Sequence, residues 1–173
     1  MDEKMLNNKS TGDDKYRALF MASRDAVMTL EPPSWRFTSG NPATLKMFKA
    51  KDEAEFLSYE PWKLSPKIQA DGRPSDEKAK EMIEKAMKEG VNFFEWTHKR
   101  VDGEEFFAEV LLSKVEQAGK TFLYASVRDI TERKKVHDSL EQLNRAMVGR
   151  ELRMQELKQE IAELKNNLAE KDN

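Results

Sequence analysis

The sequence predicts an α+β domain built on a single antiparallel sheet of about five strands with helices on one face, followed by a long C-terminal helix. Two short strand-like segments come first, a run of helical patterns follows, and three alternating segments close the globular part. Beyond them, a proline-free heptad pattern is typical of a coiled coil. We therefore expect a flexible leader over 1–14, a globular domain over 15–131 and a coiled-coil helix over 132–170.

The composition narrows the classes of function. Charged residues make up 36% of the 173 residues, above the roughly 25% of an average domain, which is typical of a solvated helix or a disordered tail. The net charge of −2 does not predict a nucleic-acid partner. No apolar run predicts a membrane span and the polar N-terminus has no signal core, so we expect a cytoplasmic protein. The absence of cysteine excludes disulfides, thiolate nucleophiles and zinc–thiolate sites.

The first third of the chain predicts a short helix, two strands and a second helix. Asp14 or its neighbour can cap a helix that contains Tyr16, and the strands are expected at 25–30 and 35–38, on either side of a Pro-Pro turn. Asn41 is a suitable N-cap residue, and the proline after it suits the first helical position, where no N–H is needed.

The middle of the chain is helical in pattern. A short helical segment is expected over 52–64, and proline-rich breaks follow it. Ser75 or Asp76 then opens the clearest helix of the globular part, which runs to Lys88 and stops at Gly90. Its apolar residues recur with helical spacing: Ala79, Met82, Ile83, Ala86 and Met87.

After Gly90 the period of the pattern changes to two. Strands are expected over 91–101 and 104–116, with Asp102-Gly103 between them as a type I′ turn, and a third strand over 121–130 follows a second turn. The middle strand is apolar on both faces, so the sheet needs cover on both. The helices can cover one face, and the other needs the N-terminal helix or a partner subunit.

The C-terminal segment keeps one heptad frame. Nine of the ten seam positions are apolar, and the exception is an arginine. A lone helix folded onto its own domain is the alternative, but about 38 residues span roughly 57 Å, longer than a compact domain of this size. Pairing is therefore preferred. The predicted seam consists of Val136, Leu140, Leu143, Met147, Arg150, Met154, Leu157, Ile161, Leu164 and Leu168.

Several motifs together resemble the PAS (S-box) domains of bacterial and archaeal sensor histidine kinases and related regulators, followed by a signalling helix. These are Asn41-Pro42-Ala43, the stretch from Leu64-Ser65-Pro66 to Arg73-Pro74-Ser75, Arg100-Val101-Asp102-Gly103 and the closing Asp129-Ile130-Thr131-Glu132-Arg133. The resemblance implies a dimeric sensor with a cavity between sheet and helices and a signal that passes through the last strand into the exit helix. We expect that signal junction at Asp129, Ile130, Thr131 and Glu132, with Asp129 and Glu132 at capping-box spacing.

The resemblance also narrows the range of cofactors that the chain is expected to bind. Photosensory relatives need a cysteine, and haem-binding relatives place a histidine on the helix before the hairpin; this chain has neither. No cofactor is therefore expected, although a non-covalent flavin or a small metabolite stays open. His98 shares a strand face with two aromatic residues, which can line a pocket or fill the core. The pocket candidates are Trp62, Met82, Phe94, Trp96 and His98.

Catalysis is not expected. His137 lies where kinase dimerisation helices carry a phosphoacceptor, but the proline of that motif is missing and no ATP-binding glycine motif occurs. The leading hypothesis is a non-enzymatic homodimer, associated with two-component systems, that senses a small ligand or partner and relays a conformational change to an output domain or protein. The alternative is a PAS scaffold that binds no ligand and mediates protein–protein interaction.

Overall fold

The computed structural model describes the backbone of residues 14–171 and the side chains of residues 14–161. The predicted leader, up to residue 13, lies outside the described residues. The chain divides into two compact units, Met1–Thr131 and Glu132–Asn173. Helix α1 (residues 14–22) is followed by β1 (Ala26–Glu31), β2 (Arg36–Gly40), α2 (Pro42–Phe48), α3 (Glu53–Ser58), a 3₁₀-helix (Pro61–Leu64), α4 (Ser75–Glu89), β3 (Val91–Lys99), β4 (Glu105–Gln117), β5 (Lys120–Asp129) and α5 (Thr131–Lys171).

The five strands form one antiparallel sheet in the order β2-β1-β5-β4-β3. The predicted α+β architecture is confirmed, with β1 and β5 side by side at the centre although they are distant in sequence. The run of helices between β2 and β3 is the connection that allows this arrangement. The last strand before the long helix is therefore central in the sheet.

The predicted helical segment over 52–64 is two separate pieces. Helix α3 ends at Ser58, and Tyr59 and Glu60 are extended, with ψ near 149° and 148°. The residue before a proline is disfavoured in helical conformation, and Pro61 follows Glu60. The chain restarts as a 3₁₀-helix that begins at that proline.

The hairpin turns differ from the prediction. Asp102 does not have a positive φ, and only Gly103 does, at 93°. Arg100 and Glu104 close the loop through a backbone hydrogen bond of 2.8 Å, so the loop holds three residues and ends with glycine in the left-handed region. The expected type I′ turn at Asp102-Gly103 is therefore wrong. Two consecutive positive φ angles occur instead in the next hairpin, at Ala118 and Gly119.

The core lies on one face of the sheet, beneath the helices. The inward residues of β4 are at most 5% exposed: Phe106, Ala108, Val110 and Leu112. On the opposite face, Phe93 of β3 and Phe107 of β4 are 62% and 42% exposed. The predicted helical cover on one face is thus confirmed, and these two residues of the other face contact solvent in the single chain.

A long C-terminal helix follows the sheet as predicted, and over the described backbone α5 runs from Thr131 to Lys171 without a break. Its described seam residues are exposed in the single chain: Val136, Leu140, Leu143, Met147, Arg150, Met154, Leu157 and Ile161. Charged pairs one turn apart, such as Arg145 with Glu141 at 3.2 Å, lie along the same helix. Leu164 and Leu168 lie outside the residues whose side chains the structure describes.

Candidate ligand cavity and signal junction

A cavity of about 60 Å³ lies between the inner face of the sheet and the helical layer formed by α4 and the 3₁₀-helix. Almost every side chain around it is apolar. It is lined by Met28, Leu30, Phe37, Pro61, Ala79, Met82, Ile83, Phe94, Trp96, His98, Val110, Leu112, Ala125 and Val127. All five strands contribute inward-facing residues to this lining. Alternate residues of a strand face the same side of the sheet, so the residues between them point away from the cavity.

Four of the five pocket candidates lie in this lining: Met82, Phe94, Trp96 and His98. Trp62 is not among the lining residues, and its ring lies 5.7 Å from Nζ of Lys80. Pro61, its neighbour in the 3₁₀-helix, lines the cavity instead. That these residues bind a ligand stays a prediction.

Polar side chains tie the cavity wall to the loops behind it. Nε1 of Trp96 donates to Oγ of Ser65 at 2.9 Å. The side-chain amide of Gln69 donates to the carbonyl of Thr97 at 3.1 Å and accepts from the N–H of the same residue at 2.9 Å. Asn92 anchors α4 by donating to the carbonyl of Met82 at 3.1 Å. Ser65 and Gln69 lie in the stretch that carries the resemblance to PAS domains, but the sequence assigned no contacts to them, since single amides and hydroxyls near prolines are typical of loops.

His98 is the one titratable side chain of the lining. Its Nδ1 lies 3.2 Å from the carbonyl oxygen of Leu64, and its ring stacks on Phe106 and meets the edge of Phe48. Burial lowers the pKa of His98 to about 4, although the Leu64 carbonyl opposes the shift. The ring is therefore neutral near pH 7. Because a carbonyl only accepts, Nδ1 carries the proton, and Nε2 is left as an acceptor.

The lowered pKa of His98 makes the stability depend on pH. The unfolded chain protonates a histidine below about pH 6.5, whereas the folded chain holds this one neutral down to about pH 4. Between these values the unfolded state binds more protons, so the free energy of unfolding must fall as the pH falls. We expect a loss on the order of 2 kcal/mol between pH 7 and pH 5, measured by urea unfolding.

The matched variants separate His98 from the other titrating groups. His98→Phe keeps an aromatic ring against Phe48 and Phe106 but cannot be protonated, so the loss between pH 7 and pH 5 should largely disappear. His137→Gln, at an exposed position on α5, should leave it in place. An equal loss in His98→Phe would contradict a buried neutral imidazole.

The end of β5 is fastened to the start of β4. Ile130 is buried, and its N–H donates to the carbonyl of Phe107 at 2.8 Å. Oγ1 of Thr131 accepts from the N–H of Phe107 at 3.0 Å. Oδ1 of Asp129 accepts from the N–H of Thr131 at 2.9 Å. The first residue of the long helix is therefore held to the sheet by side-chain and backbone hydrogen bonds.

Arg100 connects this junction to helix α2. Its side chain is only 14% exposed, with the guanidinium 4.2 Å from the ring centre of Phe106. One amino group donates to the carbonyl of Met47, and the other contacts Oδ2 of Asp129 at 2.8 Å. One guanidinium thus joins the C-terminal end of α2, the aromatic core and the end of β5.

The pKa of Asp129 is set by opposing effects of burial and of its hydrogen-bond partners at this junction. Burial alone would raise it, but the N–H and hydroxyl of Thr131 and the Arg100 guanidinium together bring it below its usual value. The carboxylate is therefore ionised at neutral pH. Its stabilising contribution is present above the unfolded-state pKa and is lost as the pH falls below that value.

Replacing Arg100 should weaken the domain. Arg100→Met keeps much of the packing on Phe106 but removes the hydrogen bonds to Met47 and Asp129, so we expect the free energy of unfolding to fall by about 2 kcal/mol in urea. Arg128→Met is the matched control, because Arg128 forms its 2.9 Å ion pair with Asp25 at the exposed surface. Such pairs contribute about 0–1 kcal/mol. Equal losses in the two variants would remove the special role of Arg100.

The remaining predicted positions lie in the helix. Pairing of Asp129 with Glu132 as a capping box stays a prediction, as does the dimer seam. In the part of the chain that the structure describes, no cluster of three His, Asp or Glu side chains is arranged as metal ligands would be. Within the same part, no helix combines the length and apolarity needed to cross a membrane.

Comparison with known proteins agrees with this architecture. The family model described as "PAS domain" matches residues 24–132, which is more than half of the chain. No curated protein matches the chain at a significant level.

Solved structures share the fold at low sequence identity. A PAS domain from a two-component sensor histidine kinase is 20% identical, with a TM-score of 0.55, and the match covers 70% of this chain and 98% of that one. The PAS domain of an HTR-like protein from Haloarcula marismortui is 19% identical, with a TM-score of 0.55 and coverage of 74% and 99%. An RNA-binding light-oxygen-voltage receptor is 23% identical with a TM-score of 0.61, and the match covers 76% of this chain but 37% of the receptor. From the family match, the chain belongs to the PAS domain family.

Proposed function

We propose that the chain is a non-enzymatic sensory module that works as a homodimer. A small ligand or a partner acts on the cavity, and the change passes through β5 into the paired C-terminal helices and on to an output domain or protein. The proposal is carried by one observation: the strand that supplies part of the cavity wall also ends at the start of the long helix.

The path is short. Ala125 and Val127 line the cavity on β5, and the helix begins at Thr131, four residues after Val127. Between them, Asp129 is held by Arg100 and Ile130 is buried. A displacement of the cavity wall has little room to relax before it reaches the helix start, because packed interiors transmit strain. Such a junction suits a two-state element that a ligand biases.

Pairing of the helix is supported by its own surface. Apart from Arg150, the described seam residues form an apolar stripe that is exposed in the single chain. Burying a leucine contributes about 1.5–3 kcal/mol, whereas a lone helix in water is marginal. A second copy offers the same stripe in the same heptad frame, so the coiled-coil dimer is the preferred occupant.

The test fills the cavity without any ligand. Ala125→Val adds two methyl groups toward the cavity on β5. We expect amide hydrogen exchange over residues 131–140 to change several-fold, after correction for the free energy of unfolding. Ser126→Val adds bulk one residue further along the same strand, on the opposite face, and should leave exchange in the helix unchanged.

The result decides between the two functions. A response to Ala125→Val alone supports the relay. Unchanged exchange in a protein that still dimerises would overturn it in favour of a scaffold whose cavity has no signalling role.

A further inference from the structure

We infer that the cavity takes a small molecule without polar groups, of about three non-hydrogen atoms. This inference rests on the proposed sensory function and adds the chemical class of the ligand. It sets that class apart from the polar metabolites and the flavins that the sequence left open. It follows from the polarity of the lining, the pairing of its few polar atoms and the size of the space.

The lining has almost nothing with which to bind a polar ligand. Of its fourteen residues, only Trp96 and His98 carry a nitrogen atom in the side chain. The others are aliphatic, aromatic or thioether side chains. Within this described lining, no side chain is a carboxylate, an amide, a hydroxyl or an ammonium group. A polar ligand would therefore exchange its hydrogen bonds with water for contacts with carbon and sulfur.

The nitrogen atoms of the two exceptions are turned to the protein. Nε1 of Trp96 donates to Oγ of Ser65 at 2.9 Å. Nδ1 of His98 lies 3.2 Å from the carbonyl oxygen of Leu64, and Nε2 of the same ring has almost no accessible surface. Burial also keeps this imidazole uncharged, because it lowers the pKa of His98 to about 4. The lining thus presents neither a charge nor an accessible hydrogen-bonding atom to the cavity.

Water is a poor occupant of such a space. The volume of about 60 Å³ exceeds the roughly 10–15 Å³ that one water molecule needs, but a buried water also needs about two to four polar partners. The lining does not supply them. Apolar cavities in proteins stay dry and bind apolar molecules such as benzene and xenon. Such a molecule gives the cavity walls the dispersion contacts that a void lacks.

The volume limits the size of the molecule. A cavity of roughly 150 Å³ accommodates benzene. The space between the sheet and the helices, about 60 Å³, is well under half of that and suits about three non-hydrogen atoms. Small adjustments are available at Met82, because an unbranched thioether adapts its shape. A flavin would require the sheet and the helical layer to separate.

The cavity wall also reaches the protein surface, which gives a small molecule a way in. Most lining residues are buried, but Pro61, Met82 and Phe94 are partly exposed. They belong to the 3₁₀-helix, α4 and β3, three elements that pack against one another. We therefore expect entry where these elements meet.

Propane and ethanol form a matched pair of probes. They have the same number of non-hydrogen atoms and nearly the same shape, but ethanol carries a hydroxyl in place of one methyl group. We expect propane to shift the NMR signals of Ile83, Ala125 and the Trp96 indole in a saturable titration of the full chain. Ethanol should bind at least about thirtyfold more weakly, because its hydroxyl would be buried without a partner.

Xenon and two variants test the location. In crystals under xenon pressure, anomalous scattering should place a xenon atom in contact with Ile83 and Ala125. Ala125→Val fills part of the cavity and should weaken propane binding at least about tenfold. Ser126→Val, on the opposite face of β5, should leave propane binding unchanged. The xenon site needs no variant, so the inference stays testable if Ala125→Val does not fold.

The outcomes separate this inference from the sensory function. If ethanol binds as well as propane, or flavin mononucleotide saturates the same signals, the apolar class is overturned while a cavity ligand remains. If neither propane nor xenon enters the cavity, the inferred ligand class is overturned. The relay is judged independently, by the response of the helix to Ala125→Val, which involves no ligand.

Discussion

Asn41→Ala is expected to lower the free energy of unfolding by about 4 kcal/mol. Asn41 is fully buried, and it accepts hydrogen bonds from the N–H groups of Val27 and Thr44 at 3.1 Å and 2.9 Å. Its amide group donates to the carbonyls of Phe20 and Asp25 at 3.1 Å and 3.0 Å. One side chain thus joins α1, β1 and α2.

The magnitude follows from what alanine leaves behind. Loss of an N-cap costs about 1 kcal/mol, and each buried polar group left without a partner costs about 1–3 kcal/mol more. The N–H of Val27 loses its acceptor and the carbonyl of Phe20 loses this donor, whereas the carbonyl of Asp25 still accepts from the hydroxyl of Ser23 at 3.2 Å. A loss of this size is a large fraction of the roughly 5–15 kcal/mol that stabilises a domain.

Asp52→Ala is the matched control. Asp52 is also an N-cap, and its carboxylate accepts from the N–H of Glu55 at 2.8 Å, but the site is exposed. Water can replace the lost bond there, so we expect a loss of about 1 kcal/mol. Urea unfolding of the two variants gives the comparison. Similar losses at the two caps would show that Asn41 does no more than begin a helix.

Leu157→Lys should convert the proposed dimer into monomers. In a pair of helices this change removes two buried leucines, worth about 3–6 kcal/mol together, and places two charges in the seam. The dissociation constant should rise by a factor of about 10²–10⁴. Sedimentation across a concentration series measures it, and circular dichroism should show that the globular unit remains folded.

Leu152→Lys makes the same chemical change outside the seam. Leu152 is an exposed leucine of α5 at an outward heptad position, so the dissociation constant should stay near the wild-type value. If Leu157→Lys remains dimeric, surfaces of the globular unit hold the two copies together. If both variants dissociate, the heptad frame is misassigned.

The order of the elements could be predicted because apolar residues recur in the sequence with clear helical or strand spacing. The change from helical spacing before Gly90 to alternation after it marks the step from α4 to β3, and Asn41-Pro42 marks the start of α2. The cavity aromatics were placed on one strand face by the same alternation. The resemblance to PAS domains then suggested where a cavity would lie.

The structural details that were predicted wrongly or missed depend on information that single residues do not carry. Asp-Gly suits more than one turn, and the loop length at Arg100–Glu104 was decided by strand register. A positive φ at Ala118 has no residue signal, since alanine rarely adopts it. The sequence placed Arg100 near the end of a strand and in a motif of the PAS resemblance, but its contacts with Met47 and Asp129 join parts of the chain that only the fold brings together.

The proposed relay from the cavity to paired helices can be tested by measuring a distance between two copies of the chain. The chain has no cysteine, so Gln142→Cys introduces a single spin-label site at an exposed position outside the seam. Double electron–electron resonance should give a defined distance between the labels of two subunits. That distance distribution should shift when Ala125→Val fills the cavity. Absence of dipolar coupling would contradict the dimer, and identical distributions with and without the cavity-filling change would contradict the relay.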